Sequence, residues 1–245
     1  MTSYLPILKR KERAAEFFIQ QLLESKVKDS IAKVVLFGST LKRKVRKDSD
    51  IDVLVIATDS LKEVAESCAD ASLETGIFTD EGVEPLVRCI DEVRYPQSYF
   101  LYYQLRHGRE VYQMNAKELK EKEIKNYLGL SQEYLEGAKG NYQNRHWRIA
   151  VDAGYNAAEL LMKGLLLFKL RDIPGSHSGI VNKFGELYAR TGLVSRQMGR
   201  TANWALQKRN DARYEPHAEI TDRDAKEIID FAEELFKILE KKLAA

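Results

Sequence analysis

The stretch Val34–Ile56 constrains the fold more than any other part of the chain. It holds two apolar, β-rich runs separated by the polar loop 40–49. Such runs are typical of buried strands. The first run ends at Gly38-Ser39, and the second begins at Asp50-Ile51-Asp52. Aspartate is a poor strand former, so two of them at the mouth of a buried strand need a chemical or structural reason.

Asp50 and Asp52 are two positions apart, so on a strand their side chains project from the same face. Two carboxylates held on one face repel each other and lower stability unless cations neutralise them. The structural alternative is a pair of surface aspartates that cap the turn after Lys47-Asp48-Ser49. A bare Asp-X-Asp pattern does not choose between these interpretations.

A pair of Mg²⁺ ions is the natural partner for these carboxylates, because hard cations prefer oxygen ligands and a substrate triphosphate can complete the shell. Gly38 allows the backbone to approach a phosphate closely, and Ser39 can donate to a phosphate oxygen. A third acidic ligand is expected on a neighbouring strand. In the run Val83–Val87 only Glu84 interrupts the apolar pattern, which makes it the candidate.

The first part of the chain is predicted to be a mixed α/β module that ends near Met114, giving a first domain over 1–114 and a second over 115–245. Helical spacing of apolar residues and β-rich runs predict its elements. The helices are expected at 5–27, 61–72 and 96–107, and the strands at 31–37, 51–56, 83–90 and 108–112.

The second part of the chain carries almost no strand signal and is predicted to be a bundle of four or five helices. Small and apolar residues recur every three or four positions over 147–168, and again in the last helix, which contains Leu235 and Leu239. Further helices are expected at 179–190 and about 196–212, while the charged run 117–125 is either a linker or a helix start. The predicted fold class is therefore α+β, with a small mixed sheet followed by an all-α bundle.

Composition limits the partners. The chain has 39 Lys and Arg residues against 37 Asp and Glu, so nucleic-acid binding has to rest on local patches. The clearest patch is in the basic loop and comprises Lys42, Arg43, Lys44, Arg46 and Lys47. This loop either steers ATP or RNA to the site or is only a solvated loop. With two isolated cysteines, no signal-peptide pattern and no long apolar run, we expect a cytoplasmic protein without a membrane segment.

The combination FGS, a loop and DIDVLV resembles the signature of the nucleotidyltransferase fold of the DNA polymerase β superfamily, over roughly 20–114. The resemblance implies that Gly38 and Ser39 hold nucleotide phosphates. Lys42 of the basic loop is a further candidate for nucleotide binding. It also implies that Asp50, Asp52 and a third acid bind Mg²⁺, or alternatively Mn²⁺. Glu84 is the preferred third acid, and Asp80 and Glu81 are its competitors.

The segments 144–167 and 206–221 resemble the signature helices of HEPN domains, which often accompany minimal nucleotidyltransferases. The RNA-cutting members of that family carry an arginine followed by a histidine after four to six residues. Arg209 and Asn210 match the start of that motif, but Tyr214 stands where a histidine is expected. Tyrosine, with a pKa near 10, is a poor general base, so ribonuclease activity is not expected.

These features predict a Mg²⁺-dependent nucleotidyltransferase that moves AMP from ATP to a hydroxyl of a protein or nucleic acid. The HEPN half is expected to bind the acceptor and to form a homodimer. The resemblance to toxin–antitoxin pairs suggests Tyr214 itself as an AMP acceptor. The alternatives are a regulator of toxin–antitoxin type that binds nucleotide or RNA without turnover and, third, a HEPN endoribonuclease.

Overall fold

The structure is a computed structural model that describes residues 4–41, 46, 48–94, 96 and 98–244. Its internal contacts divide the chain into two units, Met1–Leu119 and Lys120–Ala245. The first unit contains a small mixed sheet and the second is helical, which confirms the predicted α+β class. The division falls a few residues after the predicted domain boundary at 114.

The sheet of the first unit has four strands in the order β3-β2-β1-β4. The strands are β1 Ile31–Phe37, β2 Ile51–Ala57, β3 Val83–Cys89 and β4 Arg109–Gln113. Strand β1 runs antiparallel to both β2 and β4, whereas β2 and β3 are parallel. The central strand β2 is buried at every position except Asp52, as expected for a strand covered on both faces.

Helices cover both faces of this sheet. On one face, α1 (Tyr4–Glu24) and α2 (Leu61–Thr79) bury Phe18, Leu22 and Val64 against the inward side chains of β1 and β2. On the other face, a smaller cluster joins Leu101 of α4 (Tyr99–His107) to Phe37 and other residues of the sheet. The short helix α3 (Ile90–Arg94) lies between β3 and α4 in the chain. Helix α2 is longer than predicted, and α4 begins three residues later.

The described part of the second unit contains five α-helices. They are α5 Ala116–Gln143, which begins in the first unit, α6 Trp147–Leu167, α7 His177–Phe184, α8 Arg196–Tyr214 and α9 Asp222–Leu243. The charged run 117–125 is therefore the start of a helix. Helix α6 is the centre of the bundle and is buried along most of its length. Close packing against α9 needs Gly164, because a Cβ there would lie 2.7 Å from a Leu239 methyl carbon.

The helix predicted at 179–190 begins earlier, at His177, and changes to a π-helical turn at Gly185–Ala189. The extra residue in this turn keeps Tyr188 inside the core, where its ring stacks on Phe184 with centroids 5.6 Å apart. The Tyr188 hydroxyl donates to the Leu165 carbonyl of α6. Among the helices of the described residues, none is both long and apolar enough to cross a membrane.

Candidate nucleotidyl-transfer site

The turn that ends β1 requires glycine for two reasons. Gly38 has φ +73°, in the left-handed region that glycine adopts at little cost. A Cβ at this position would lie 1.9 Å from Oδ2 of Asp52, so the missing side chain makes room for the carboxylate. The turn continues as one 3₁₀ turn, Gly38–Thr40, which places the Ser39 backbone beside Asp52.

Asp52 is the one polar interruption of β2, and it pairs with Phe37 at the end of β1. Burial raises the pKa of its carboxyl group, and the negative charges of Glu84 and Asp50 raise it further. A backbone hydrogen bond from Ser39 acts in the opposite direction but does not cancel these effects. The carboxylate thus sits where a negative charge is disfavoured in the absence of a cation.

Asp50 immediately precedes β2 and is exposed. The next residue, Ile51, donates its N–H to the Gly82 carbonyl at 2.9 Å, which ties this end of β2 to the start of β3. A Cβ at Gly82 would lie 2.1 Å from Oδ1 of Asp50, so this glycine also makes room for a carboxylate. Gly82 was not singled out from the sequence. Its signal is a glycine directly before the strand that carries Glu84, the candidate third acid.

Glu84 lies on β3 directly beside Asp52 of β2, because the two parallel strands pair at this position. Paired residues of neighbouring strands project from the same face, and Glu84 is exposed there. Asp50, Asp52 and Glu84 therefore share one face at the end of the sheet, as the sequence analysis requires of a ligand set. Among the described residues, none of the three makes an ion pair.

The two competitors for the third acid lie elsewhere. Asp80 is the C-cap of α2, with φ 57°. Glu81 is buried and forms ion pairs with Arg10 and Lys11 of α1; its Oε2 is 2.7 Å from Nζ of Lys11. Because two cations already neutralise Glu81, it is not available as a metal ligand.

Lys11 is fully buried and was not singled out from the sequence. Besides its ion pair with Glu81, its ammonium group donates to the carbonyl of Ser49, the residue before Asp50. A buried ammonium group with two partners fixes the end of the loop to helix α1. No local sequence pattern predicts these contacts, because Lys11, Ser49 and Glu81 come from distant parts of the chain.

The three carboxylates fit a divalent cation. Their oxygen donors are those that Mg²⁺ and Mn²⁺ prefer, and the two glycines leave the space that the carboxylates occupy. In the described part of the chain, no three His, Cys, Asp or Glu side chains are already close enough to form a metal site. The site is therefore an open set of carboxylates whose remaining ligands would come from a substrate and water.

Four of the five cations predicted to steer a nucleotide lie outside the described residues. These are Lys42, Arg43, Lys44 and Lys47. Arg46 is described and exposed, and its carbonyl accepts a hydrogen bond from the Ser49 hydroxyl at 3.0 Å. Binding of phosphate by Lys42 stays a prediction.

The HEPN motif residues lie at the C-terminal end of α8. Arg209 is 3% exposed, and its Nε is 3.4 Å from a carboxylate oxygen of Asp152 on α6. Its guanidinium also lies over the rings of Tyr155 and Tyr214, at 6.0 and 5.7 Å from their centroids. Arg209 is therefore paired with an acid inside the bundle.

Asn210 and Tyr214 have different environments. The Asn210 side chain accepts a hydrogen bond from Arg209 at 3.2 Å. Tyr214 is the last residue of α8 and is 64% exposed. Of the two, only Tyr214 presents a side chain that a second molecule can reach freely.

A second polar cluster in the bundle was not predicted. Glu159 of α6 is buried, yet it receives a hydrogen bond from His177 and an ion pair from Lys163 at 3.1 Å. Burial acts to raise the pKa of the Glu159 carboxyl group, but these two partners outweigh it, and the pKa is lowered. His177 is the first residue of α7, and its contact with Glu159 thus holds the start of α7 against α6.

Comparison with known families agrees with the division of the chain into two structural units. Residues 19–116 match the family described as "Polymerase beta, Nucleotidyltransferase", and residues 124–242 match the HEPN domain. The chain is a nucleotidyltransferase–HEPN protein. The two matches occur in the predicted order, and the carboxylate site lies entirely within the first. The chain therefore carries a nucleotidyltransferase domain.

Two curated relatives each match part of this nucleotidyltransferase–HEPN protein. A "Putative protein adenylyltransferase" of Methanocaldococcus jannaschii is 32% identical over 73 residues, which cover 30% of this chain and 72% of that protein. The "UPF0332 protein" of Thermotoga maritima is 29% identical over 122 residues, which cover 50% of this chain and 92% of that protein.

The chain also matches a solved structure, that of the spectinomycin adenyltransferase AAD(9) from Enterococcus faecialis with ATP and spectinomycin. It is 14% identical and covers 94% of this chain and 99% of that one, with a TM-score of 0.33.

Proposed function

We propose that this protein transfers AMP from ATP to a hydroxyl group of a protein or a nucleic acid, in a reaction that depends on Mg²⁺. The observation that carries the proposal is the convergence of Asp50, Asp52 and Glu84 on one face at the end of the sheet, next to the Gly38-Ser39 turn. The family match supports nucleotidyl transfer in general. ATP, the metal and the acceptor are the proposal's additions.

In the proposed reaction, the acceptor oxygen forms a bond to the α-phosphorus of ATP, the bond to the β-phosphate breaks, and pyrophosphate leaves with its electron pair. Asp50 and Asp52 would hold divalent cations, and Glu84 would orient one of them or take the proton of the acceptor hydroxyl. The Ser39 hydroxyl would donate to a phosphate oxygen. When bound, Mg²⁺ supplies charge stabilisation on the phosphates and lowers the pKa of a coordinated hydroxyl.

A protein hydroxyl is the first acceptor to test. The M. jannaschii relative is described as a putative protein adenylyltransferase, and it is 32% identical to this chain over 73 residues. Tyr214 is the acceptor candidate within this chain, because its side chain is 64% exposed and lies beside the guanidinium of Arg209.

The HEPN bundle is proposed to bind the acceptor and to form the homodimer rather than to cut RNA. A ribonuclease of this family would need an arginine that contacts substrate and a histidine as general acid or base. Arg209 is instead buried against Asp152, and Tyr214 occupies the expected position of the histidine. Both observations speak against cleavage.

Incubation with α-³²P-labelled ATP and Mg²⁺, alone and with total RNA or cell extract, tests the proposal. We expect label on a macromolecule with the wild type, and none with Asp50→Asn/Asp52→Asn or after chelation of Mg²⁺. Mass spectrometry then shows whether Tyr214 gains AMP. If ATP binds in a metal-dependent way but no label is transferred, the proposal is wrong and the protein is a nucleotide-binding regulator. RNA cleavage that survives Asp50→Asn would instead indicate the ribonuclease.

A further inference from the structure

Helix α8 carries a row of side chains that the nucleotidyltransferase site does not use. Arg196, Arg200, Trp204 and Lys208 follow one another in steps of four, so they lie along one side of the helix. The row extends over about 18 Å, since each residue adds 1.5 Å. We call these four residues the α8 row.

Two grooves border the row and share Arg200. One is formed with α7 and the π-helical turn, and it is lined by Arg190, Arg196 and Asn203 among others. The second is formed with the start of α9 and includes Trp204, Lys208 and Arg223. Helix α8 approaches the π-helical turn closely at the first groove, because a Cβ on Gly199 would lie 2.8 Å from that of Ala189.

Cations exceed acids in the lining of these grooves. Five lysine and arginine side chains face three carboxylates, those of Glu186, Asp224 and Glu227. Glu186 is already paired with Lys183 at 2.7 Å. Asp224 pairs with Lys208 at 3.0 Å and also caps α9. Two of the three acids are therefore occupied.

The arginines of the grooves are largely uncompensated. Arg196, Arg200 and Arg223 are exposed, and none of them makes an ion pair with a residue that the structure describes. Guanidinium groups bind phosphate oxygens in a bidentate way and can also stack on bases. Exposed arginines with no acidic partner are therefore suited to a ligand with phosphate groups.

Trp204 distinguishes this surface from a simple patch of positive charge. The indole is half-buried, lines the second groove and stands between Arg200 and Lys208 in the row. The amide of Gln197 lines the same groove as Trp204 and can bind a base edge. A row of cations interrupted by an aromatic side chain is the pattern that tracks a phosphodiester backbone and stacks an unpaired base.

We propose that the α8 row and its two grooves bind single-stranded nucleic acid. The phosphates contact Arg196, Arg200 and Arg223, and one base stacks on Trp204. This surface is separate from the Arg209 motif, whose guanidinium points to α6. The proposal does not depend on nucleotidyl transfer, because a chain that binds nucleic acid here does so with or without a functional carboxylate site.

Fluorescence anisotropy of the full chain with labelled 20-nucleotide oligo(U) and oligo(dT), at several salt concentrations, tests the proposal. Arg196→Glu/Arg200→Glu is expected to weaken binding at least about tenfold at 0.1 M salt. Loss of two phosphate contacts should also reduce the slope of log K against log salt by about 1.4. The matched control is Lys169→Glu/Arg171→Glu, which makes the same charge change in the exposed segment between α6 and α7.

Trp204→Leu keeps an apolar side chain in the bundle and is expected to weaken binding about fivefold or more, with little change in the salt slope. Circular dichroism confirms folding, and Arg200→Gln replaces the double variant if that one does not fold.

Tighter binding of oligo(U) than of oligo(dT) identifies RNA as the ligand, and equal binding identifies single strands of either sugar; both support the proposal. Unchanged binding by the arginine variants, or equal binding of duplex or of poly-glutamate, overturns it.

Discussion

The carboxylates at the end of the sheet and the carboxylate inside the bundle have opposite electrostatic surroundings. Asp52 is only half-buried, yet burial, Glu84 and Asp50 raise its pKa. Glu159 is more deeply buried, but His177 and Lys163 outweigh the burial and its pKa is lowered. The bundle neutralises its buried acid, whereas the sheet gathers acids and leaves them without cations among the described residues.

The same contrast separates two neighbours in the first domain. Glu81 is buried between Arg10 and Lys11, and Glu84, three residues later, is exposed beside Asp52. Position in the sequence does not distinguish them, but their partners do. A carboxylate that the protein neutralises contributes to the fold, and one that it leaves uncompensated is available to a ligand.

The largest expected effect is on activity. Asp50→Asn or Asp52→Asn should lower the rate of AMP transfer about a thousandfold, because loss of a metal ligand removes several kcal/mol of transition-state stabilisation. The rate is measured with labelled ATP once an acceptor is known. Asp70→Asn, which alters an exposed acid of α2, is the control and should leave the rate unchanged. Equal losses of rate in all three variants would show that Asp50 and Asp52 have no particular role in the transfer.

The next effect separates Glu81 from Glu84. Glu81→Gln should lower the free energy of unfolding by about 3 kcal/mol, because it leaves the fully buried Lys11 without its charged partner. Glu84→Gln should change stability by less than about 0.5 kcal/mol, as at other exposed positions, while reducing transfer. Urea unfolding and the transfer assay on both variants check this. A stable Glu81→Gln protein with lost activity would reverse the assignment.

A smaller effect concerns Glu159 and pH. Glu159→Gln should lower the free energy of unfolding by about 2 kcal/mol at pH 7, because it weakens charge-assisted hydrogen bonds in a buried site. The lowered pKa means that this contribution is present above the ordinary value of 4.5 and is lost as the pH falls through the folded-state pKa. Urea titrations from pH 7 to pH 3 should show the two proteins converging. A constant difference across that range would contradict this account.

The smallest predicted effect is an increase in the free energy of unfolding, whereas the preceding variants lower it. Because the pKa of Asp52 is raised above 3.8, its ionisation is harder in the folded than in the unfolded chain. Ionised Asp52 therefore lowers stability at neutral pH, and this penalty disappears as the pH falls towards 3.8. Without metal, Asp52→Asn should gain about 0.5 kcal/mol at pH 7 and nothing near pH 3.5. Urea unfolding at the two pH values measures this difference in stability. If Asp52→Asn were less stable than the wild type at pH 7, the charge of Asp52 would not be uncompensated.

The features that were predictable from the sequence are those with a local signal. The strand β1, the Gly38-Ser39 turn and the aspartates at the start of β2 lie within one short stretch, so periodicity and residue type suffice. The position of Glu84 beside Asp52 needed one further step, the assumption that β3 neighbours β2. The structure pairs the two strands in that way.

The features that were not predictable depend on tertiary contacts. The partners of Lys11 are Ser49 and Glu81, and no local pattern links them. Helix α2 ends only at Thr79, where Asp80 takes a left-handed conformation that short polar residues tolerate. The π-helical turn at Gly185–Ala189 follows from the packing of Tyr188 rather than from the spacing of its neighbours.

The melting temperatures of the wild type and of Asp52→Asn, each with and without Mg²⁺ and a non-hydrolysable ATP analogue, test the central claim most directly. If the carboxylates are uncompensated because they await a metal–nucleotide complex, the variant melts higher without ligand. The wild type then melts higher with ligand, because only the wild type gains binding energy. This reversal is the predicted result. The same order under both conditions, with equal shifts in the two proteins, would contradict the account.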